Sequence, residues 1–463
     1  MRIVVGDIES KVYTKDVRVL GIIRTVCRAR PAGFQFMPKF KKGLWDGYIS
    51  LMSSHRSFPT GLLGYVVPAL NKRGYKVDID WGDHHTDAVY TVTPDMLIGI
   101  TLRDYQVDAA NKLLGARRGI AKMATNSGKT EVMAAMLKVL DKRAIIIIHR
   151  KELLHQTAER LETRLGRSIG KIGDGIHQPS IITVAMIQTL HNMKGHYSYQ
   201  DYFQSQEVVM VDECHHTSSD QMMDVLYQIS GKYRYGFSGT PLKNDVLADM
   251  KLISITGRVI YDLGNAELIE QGYSAVPEVI VHEVYSPEKA NWDMDYHVAY
   301  DRLIVNNHPR NRIIKAVAED RDGIVLILVT RIEHGDTLKR MIPGSVFVHG
   351  GITTNIRQNV LKRMKSGRSG VYIASTIFDE GVDVPDVNIM VLAGGGKSDI
   401  KLLQRIGRGL RKKEGRNIIE IHDFLDDTNE YLLKHTEERI DVYTREGFKV
   451  KIDKAETSIS DTV

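Results

Sequence analysis

The sequence predicts an α/β protein with two tandem parallel-sheet domains, preceded by a small α+β domain. From about residue 96, apolar runs of strand length alternate with stretches of helical spacing, a pattern typical of parallel strands buried under helices. A stretch at 264–310 that contains glycines and prolines interrupts this rhythm, which then resumes. We therefore expect an N-terminal module at 1–95, α/β domains at 96–265 and 266–425, and a tail at 426–463 made of a helical extension and a loose end.

The composition fits a soluble protein with more than one core. The chain has 463 residues, of which 43% are hydrophobic, and a net charge of +6, which permits nucleic-acid binding without requiring it. Its two cysteines, Cys27 and Cys214, form no disulfide framework, as expected in a reducing compartment. Neither a signal-peptide pattern nor an apolar run of about 18 residues occurs, so we expect a cytoplasmic location.

The N-terminal module concentrates positive charge. Residues 1–70 contain eleven Lys or Arg and four Asp or Glu, and the segment from Arg24 to Lys42 contains six cations and no acid. Cations neutralise phosphates and aromatic faces stack on bases, so we expect DNA contact here; the alternative is a solvated basic face with aromatic residues in the core. The alternation at 34–36 indicates short strands. The candidate DNA-binding cations are Arg30, Lys39, Lys41 and Lys42.

The segment from Met123 to Thr130 predicts a phosphate-binding loop. It follows a short apolar run and opens a helix, so main-chain N–H groups and the helix dipole would surround one anion. Lys129 would reach the β- and γ-phosphates, and the Thr130 hydroxyl would hold Mg²⁺. The alternative is a simple turn before a helix. Because Met123 replaces the usual first glycine, the cradle would consist of Ala124, Thr125, Asn126 and Ser127, and Gly128 would contact the nucleotide beside Lys129.

The other candidate residues of the first α/β domain follow predicted strands, at the sheet edge where ligands bind. Asp212 and Glu213 come directly after such a run. Asp212 would hold the Mg²⁺ that accompanies ATP, and Glu213 would orient and deprotonate the attacking water; the alternative is an acidic helix cap. The predicted strands are Ala144–Ile148, Ile181–Val184, Val208–Val211 and Tyr235–Phe237.

In the second α/β domain, Gln404, Arg408 and Arg411 would share one helix face. This cationic face requires a polyanion opposite it or full solvation. We read 264–310 as a connection with a helical insert and Gly394–Ser398 as a strand-end loop rather than a second phosphate loop. In the tail we expect a helix at 428–446 that packs back on a core domain, followed by a strand at 448–452. The predicted strands of the domain are Ile324–Val329, Val346–Val348, Val371–Ala374, Ile389–Leu392 and Asn417–Ile421.

Taken together, Gln106, Gly128–Thr130, Asp212–His215 and Ser238–Thr240 resemble the conserved motifs of superfamily 2 helicases, with the sequence Asp-Glu-Cys-His in the metal-binding box. The resemblance implies RecA-like domains and assigns roles to further residues. Arg103 and Gln106 would contact adenine, Gly381 and Asp383 would contact the nucleotide, and Arg408 and Arg411 would act as arginine fingers on the γ-phosphate. The residues implied to couple nucleotide to DNA are His215, Ser238, Thr240 and Gln404.

The same resemblance implies a DNA-backbone interface on both α/β domains. Its residues would be Arg150, Thr183, Gln188, Thr189, Arg331, His349, Gly350 and Thr376.

The run from Phe34 to Leu51 is similar to the region that precedes the core of UvsW-type bacteriophage helicases. That family implies ATP-driven branch migration, fork regression and unwinding of forks or R-loops by a monomer, inside the bacterial host cytoplasm if the chain is phage-encoded. RNA–DNA hybrids stay open as substrates. The alternatives are a double-stranded DNA translocase subunit of a restriction or remodelling system, and a nucleic-acid-binding protein with a vestigial ATPase.

Overall fold

The computed structural model divides the chain into two compact units, Met1–Leu263 and Gly264–Val463. No described helix is long and apolar enough to cross a membrane. The structure describes residues 1–82, 89–124, 127–193, 195, 197–216, 219–243, 245–274, 276–284, 294–319, 323–375, 387–395 and 418–453.

The first unit begins with a small α+β module. Its four-stranded sheet has the order β5-β2-β1-β6, in which β1 pairs antiparallel with β2 and parallel with β6. A separate two-stranded ladder joins β3 and β4. The elements are β1 (Arg2–Val4), β2 (Glu9–Tyr13), α1 (Val17–Val26), β3 (Arg28–Ala29), α2 (Pro38–Lys41), β4 (Ile49–Ser50), β5 (Ser57–Pro59), α3 (Leu63–Asn71) and β6 (Asp78–Asp80), with 3₁₀ turns at Phe34–Phe36 and Thr60–Leu62.

The turn at Phe34–Phe36 corrects the prediction of a strand there. The aromatic alternation arises because the Phe34 ring packs edge-on against the Phe40 ring at 4.8 Å between centroids, while Phe36 is exposed. Cys27 is fully buried, and burial raises the pKa of its thiol to about 12. Its role is therefore packing.

The rest of the first unit is an eight-stranded, largely parallel sheet with the order β10-β9-β11-β8-β12-β13-β7-β14. Only the β9–β10 pair is antiparallel among its described pairings. Its strands are β7 (Arg118–Met123), β8 (Ala144–Ile148), β9 (Gly170–Gly173), β10 (Ile176–Gln178), β11 (Ile182–Met186), β12 (Val208–Asp212), β13 (Tyr233–Ser238) and β14 (Val259–Leu263). Its helices are α4 (Asp104–Ala116), α5 (Lys129–Leu140), α6 (Lys151–Leu165), α7 (Ile187–Met193), α8 (Tyr197–Gln204), α9 (Asp220–Leu226) and α10 (Val246–Thr256).

The module and this sheet share a core. Leu247 and Met250 of α10 are buried in the same apolar cluster as Ile3, Phe58 and other residues of the module. The approach is close at Gly61, where an added Cβ would lie 2.0 Å from the Ile253 carbonyl oxygen. The module is therefore packed onto the first α/β domain rather than tethered to it.

The second unit contains a fully parallel sheet with the order β17-β18-β16-β19-β20-β15-β21. Its strands are β15 (Val276–Glu283), β16 (Ile324–Leu328), β17 (Val346–Val348), β18 (Gly370–Ala374), β19 (Ile389–Leu392), β20 (Ile418–Leu425) and β21 (Lys449–Asp453). Its described helices are α11 (Asn265–Glu270), α12 (Tyr296–Tyr300), α13 (His308–Glu319), α14 (Ile332–Met341), α15 (Thr354–Lys365) and α16 (Glu430–Arg445), with a π-helical turn at Asp301–Val305.

One segment differs from its prediction, whereas the tail packs as predicted. The stretch at 264–310 is more than a connection, because β15 within it pairs with β20 along eight residues. The tail belongs to this unit as well, since β21 pairs with β15 and Tyr443 of α16 is fully buried. The prediction of two parallel-sheet domains after a small α+β module is confirmed, and the second sheet is larger than predicted.

Candidate nucleotide-binding site

The predicted phosphate loop lies between the carboxyl end of β7 and the first turn of α5. Gly128 is the N-terminal cap of α5 and has a left-handed conformation with φ of 79°, which glycine adopts at little cost. Lys129 and Thr130 form the first turn of the helix, where main-chain N–H groups have no helical acceptor. Thr125 and Asn126 lie outside the described residues. The strand, turn and helix therefore have the arrangement that binds a phosphate.

Two side chains of α4 hold the loop in place. The Gln106 amide and the Tyr105 hydroxyl both donate to the Ser127 carbonyl oxygen, each at 2.9 Å. The Gln106 amide oxygen in turn accepts from the main-chain N–H of Arg103 at 2.9 Å. Gln106 is buried, so in this structure its amide positions the phosphate loop. The sequence pattern singled out Gln106 but not Tyr105, whose role depends on the fold.

The Ser127 hydroxyl is a buried polar group that forms no hydrogen bond with the described residues. Its side chain is fully buried, and within the described part of the chain its hydroxyl has no hydrogen-bond partner. Burial of an unpartnered hydroxyl costs about 1–3 kcal/mol. A phosphate oxygen in the loop would remove that cost, so the side chain fits the predicted anion.

Asp212 and Glu213 lie across from the phosphate-loop lysine. The Lys129 ammonium lies 3.6 Å from a Glu213 carboxylate oxygen, and both side chains are largely buried. Glu213 has a φ of 48°, an unusual conformation for a non-glycine residue that is found at functional sites. Its main-chain N–H donates to the Asp212 carboxylate at 3.0 Å. One turn after β12 therefore brings two acids and a lysine together.

The pKa values of the two acids are shifted in opposite directions. Burial, together with the charge of Glu213, raises the pKa of Asp212 to about 6. Burial acts on Glu213 in the same direction, but Lys129 and His215 outweigh it and hold the pKa of this carboxyl below its usual range. Glu213 is therefore ionised at neutral pH. Asp212 is a buried carboxyl group whose ionised form a nearby cation would stabilise.

The next strand is linked to these acids through His215. One ring nitrogen, Nδ1, lies 3.0 Å from the Ser238 hydroxyl and 3.3 Å from a Glu213 carboxylate oxygen. The Ser238 hydroxyl also accepts the main-chain N–H of Thr240 at 3.2 Å. His215 and Ser238 are both buried. Glu213, His215, Ser238 and Thr240 thus form one connected path from the end of β12 to the end of β13.

The DNA-contact candidates of the first unit differ in exposure. Gln188 is exposed, and its amide donates to the His149 carbonyl oxygen at 3.1 Å. Arg150 and Thr189 are half-buried. The structure corrects the expectation that Thr183 contacts DNA, because this side chain is fully buried. Its hydroxyl accepts from the Ser180 main-chain N–H and donates to the Ser180 carbonyl oxygen, both at 3.0 Å. Its side chain is therefore not available to a phosphate.

In the second unit, the described candidates lie beyond the carboxyl ends of β16 and β17. Arg331 pairs with Asp301 and lies 4.8 Å above the Tyr300 ring. The His349 ring packs on Phe347 at 4.9 Å, and Gly350 has an open surface around its Cα. The remaining candidates, Thr376, Gly381, Asp383, Gln404, Arg408 and Arg411, lie outside the described residues.

The basic segment of the N-terminal module has two parts. Arg30 lies over the Phe34 ring at 4.5 Å and the Tyr48 ring at 4.4 Å, while Arg28 lies over Tyr48 at 4.2 Å. These aromatic faces are thus already occupied by guanidinium groups, worth about 0.5–2 kcal/mol per contact. Lys39, Lys41 and Lys42, by contrast, are exposed on and beside α2. The three lysines, together with Arg30, which is also exposed, form an accessible cationic surface.

Three protein families match successive parts of the chain. Residues 10–80 match the family described as DNA helicase UvsW, N-terminal. Residues 99–243 match the family described as Type III restriction enzyme, res subunit. Residues 309–413 match the helicase conserved C-terminal domain. These ranges fall within the predicted module and the two predicted α/β domains.

Individual helicases and translocases are also similar to this chain in sequence or in fold. The ATP-dependent DNA helicase uvsW of Enterobacteria phage T4 is 25% identical over 468 residues, covering 90% of this chain and 91% of the relative. The DNA 3'-5' translocase XPB2 of Sulfurisphaera tokodaii is 25% identical, covering 68% of this chain and 80% of the relative. The structure of Dbp5 from Saccharomyces cerevisiae bound to RNA and ADP BeF3 has the same fold, with a TM-score of 0.54 at 16% identity over 77% of this chain and 91% of that one.

The fold and the nucleotide-binding site therefore define an ATPase of the helicase type. In its two α/β domains the chain is similar to superfamily 2 DNA helicases, and along most of its length it resembles the UvsW-type helicases of bacteriophages.

Proposed function

We propose that this protein is an ATP-dependent DNA helicase or translocase that remodels branched DNA. The observation that carries the proposal is the buried group of Lys129, Asp212 and Glu213 beside the phosphate loop, linked through His215 to Ser238. A domain that matches the UvsW N-terminal family precedes that site. In this proposal the first α/β domain hydrolyses the nucleotide, and the N-terminal module adds a contact with DNA to those on the α/β domains.

The ATP site works through positions that the fold has already fixed. Lys129, in the first turn of α5, supplies positive charge to the β- and γ-phosphates while the turn's N–H groups bind their oxygens. Glu213 is ionised and accepts a proton from the attacking water, a role that needs a carboxylate held close to the reacting phosphate. Arg408 and Arg411 supply further positive charge at the γ-phosphate in this proposal.

Mg²⁺ fits the donor atoms of this site. The Thr130 hydroxyl and the Asp212 carboxylate are hard oxygen ligands, and the raised pKa of Asp212 means that a bound cation would stabilise its ionised form. When bound, Mg²⁺ would neutralise charge on the phosphates of ATP. The chain's own contribution is to hold these two oxygens on α5 and β12.

Coupling to DNA runs through the path from Glu213 to Thr240. A change in the charge near Glu213 alters the hydrogen bond that His215 makes with Ser238, and Ser238 in turn holds the main chain at Thr240. The proposed DNA surface includes Arg150, Gln188, Thr189, Arg331, His349, Gly350 and Thr376, together with Arg30, Lys39, Lys41 and Lys42 of the N-terminal module. We propose a monomer that works on forks, and on RNA–DNA hybrids as well, in the cytoplasm of the cell that contains it.

The ATP site is tested by Lys129→Ala and Glu213→Gln. We expect each variant to lose about 10²-fold or more of the DNA-stimulated ATPase, because positioned acid–base and electrostatic groups contribute on that scale. Glu213→Gln should still bind ATP, whereas Lys129→Ala should bind it more weakly. Lys142→Ala, which removes a partly exposed lysine paired with Glu207, is the control. Unchanged turnover in both site variants would refute the assignment.

Branched-DNA specificity needs a separate experiment. We would compare unwinding and ATPase stimulation on fluorescent forks, Holliday-type junctions, linear duplex and single strands of equal length. The proposal expects branched substrates to give the faster rates. Equal rates on branched and linear duplex would instead favour the second candidate, a double-stranded DNA translocase, which the match of residues 99–243 to the restriction-enzyme family also supports.

A further inference from the structure

A cavity lies on the side of the first α/β domain that is opposite the phosphate loop. It has a volume of about 630 Å³, within the range of about 300–1,000 Å³ that is typical of small-ligand sites. Its floor is formed where β13, β7 and β14 begin, three strands that are neighbours in the sheet. The phosphate loop follows the other end of β7, so the two sites share no residue.

The floor of the cavity is cationic. Lys232 directly precedes β13, Arg118 is the first residue of β7, and Arg258 directly precedes β14. Arg117, which has a left-handed conformation with φ of 61°, adds a fourth positive charge. None of the described residues that line the cavity is an Asp or a Glu. Neighbouring parallel strands are about 4.8 Å apart, so the main-chain positions that carry these like charges are close together.

The described surroundings satisfy the Arg118 guanidinium only in part. The C-termini of α4 and α10 lie beside the cavity and each contributes about half of a negative elementary charge. The negative charge of Asp7 stabilises the Arg118 guanidinium, and the Asp7 carbonyl oxygen accepts a hydrogen bond from Arg118 at 2.7 Å. The other terminal nitrogen of Arg118 is buried and, within the described part of the chain, has no hydrogen-bond partner. A buried donor of this kind indicates an anionic acceptor that none of the described residues provides.

The wall opposite the cations has a different character. It comes from the N-terminal module and is apolar, with Leu63 and Val67 of α3 and Ile79 of β6. Trp81 completes this wall and is 39% exposed. An aromatic face opposite a group of cations matches a planar base that carries a phosphate.

We propose that this cavity binds one nucleotide of an unpaired DNA strand, with the phosphate on the Arg118 and Arg258 side and the base against Trp81. The inference rests on the proposed function, because it assigns the site to the DNA on which the helicase works. It adds a contact that the motifs do not predict. The contact lies in the first unit alone, where the N-terminal module meets the α/β domain.

The test uses Trp81→Ala and Arg258→Glu in the full chain. The probe is a fluorescent oligothymidylate of about 12 nucleotides, within the length range of single-strand sites, with binding followed by anisotropy. Loss of one stacked base should weaken Trp81→Ala binding by about 5- to 150-fold. Arg258→Glu should also lower the slope of log affinity against log salt by about 0.7 or more, one phosphate contact on a single strand.

A matched control is Lys171→Glu, the same charge reversal on β9, which three strands separate from β13. All variants should keep the DNA-independent ATPase and the thermal midpoint of the wild type, which shows that they are folded. Wild-type affinity in both Trp81→Ala and Arg258→Glu would overturn the proposal. A similar loss in Lys171→Glu would also overturn it, by reducing the effect to net charge.

Two competitors identify the source of the ligand. Thymidine monophosphate that displaces the probe as well as unlabelled strand does would assign the cavity to free nucleotides and overturn the strand assignment. An acidic peptide of equal charge that displaces it equally would overturn the nucleotide assignment. If the wild type shows no DNA-stimulated ATPase, the proposed function fails; if it does and the variants bind normally, only the cavity proposal fails.

Discussion

Gly128 shows how strictly single atoms determine the nucleotide site. A Cβ at this position would lie 2.3 Å from the Gln106 amide nitrogen, which no real contact tolerates. That amide holds the Ser127 carbonyl oxygen, so displacing it would release the phosphate loop. The left-handed φ of 79° adds a second cost for any residue with a Cβ.

We predict that Gly128→Ala abolishes measurable nucleotide binding and destabilises the fold by about 1–2 kcal/mol, the cost of a left-handed alanine. Nucleotide binding is measured with a fluorescent ATP analogue and stability by urea unfolding. Gly21→Ala is the control, because it lies in α1 with nothing within 4 Å of the added Cβ. It should leave nucleotide binding unchanged and stabilise the helix by up to about 1 kcal/mol. Normal nucleotide binding by Gly128→Ala would contradict the role of the Gln106 contact.

His334 offers a test by pH. Its ring is fully buried, Nε2 lies 2.9 Å from the Asn311 side-chain oxygen, and Nδ1 has no hydrogen-bond partner among the described residues. Burial and the nearby Arg310 charge lower the pKa of His334 to about 3. Since the unfolded chain binds this proton below about pH 6.5 and the folded chain does not, stability is present above that pH and lost on acidification.

We predict that the free energy of unfolding of the wild type falls between about pH 7 and about pH 5 by up to about 2 kcal/mol more than that of His334→Gln. The reason is that the glutamine side chain of the variant cannot titrate. Urea unfolding at both pH values measures the difference between the two proteins, which removes the contribution of the carboxylates that they share. His308→Gln, at an exposed position of α13, should behave like the wild type. Equal acid sensitivity of His334→Gln and the wild type would show that the buried ring is protonated in the folded state.

At the scale of elements, the sequence located most buried strands to within one or two residues. The runs at Ala144–Ile148 and Ile389–Leu392 are continuous and apolar because both faces of a parallel strand are covered. β15 was missed because Pro277 and alternating polar residues resemble a connection. The structure accommodates Pro277 because pairing with β21 begins one residue later, at Glu278.

In the nucleotide-binding site, too, some features could be predicted from the sequence and others could not. We could predict the roles of Lys129, Asp212 and Glu213 because each lies at or soon after the end of a strand that was itself predictable. The role of Ser238 was predicted from the resemblance to helicase motifs. The contacts of Tyr105 and the left-handed turn at Glu213 could not be predicted, since they depend on how α4 and β12 pack rather than on local pattern. Arg408 and Arg411 lie outside the described residues and stay predictions.

α16 is held to its sheet by a buried charged group. The Arg439 guanidinium bonds both carboxylate oxygens of Asp423 on β20, at 2.8 and 3.0 Å, and the Tyr443 hydroxyl donates to the same carboxylate at 2.8 Å. Burial alone would lower the pKa of Arg439, but the Asp423 carboxylate outweighs it and raises it. The packing of the tail helix on a core domain, which its helical spacing predicted, thus depends on a complete ion pair.

We predict that Asp423→Asn destabilises the protein by about 3–5 kcal/mol, because it leaves the buried Arg439 charge without its carboxylate. Tyr443→Phe should cost less, about 0.5–1.5 kcal/mol for one hydrogen bond. Urea unfolding followed by circular dichroism gives both values. Glu437→Gln, on an exposed position of the same helix, should change stability by less than about 0.5 kcal/mol. A small effect of Asp423→Asn would mean that water reaches Arg439 and that α16 is only loosely packed.

At the scale of the whole molecule, the N-terminal module cannot be separated from the ATPase without damage. Deleting it would expose Leu247 and Met250 of α10, which complete its core, so loss of activity in a truncated chain would say nothing about DNA binding. Lys39, Lys41 and Lys42 are exposed and belong to no described salt bridge. Substituting these lysines tests the module's role without disturbing its packing.

We predict that changing Lys39, Lys41 and Lys42 together to Glu weakens DNA binding and leaves the DNA-independent ATPase unchanged. If all three contact phosphates of a duplex, the slope of log affinity against log salt should fall by about 0.9 per lysine. Lys362→Glu, an exposed charge reversal on α15 of the second unit, controls for net charge. Because phosphate contacts carry little sequence information, the loss should be the same for all sequences but larger for forks than for single strands if the module binds the duplex arm. An unchanged salt slope would assign the basic segment to solubility, and DNA binding would then rest on the α/β domains alone.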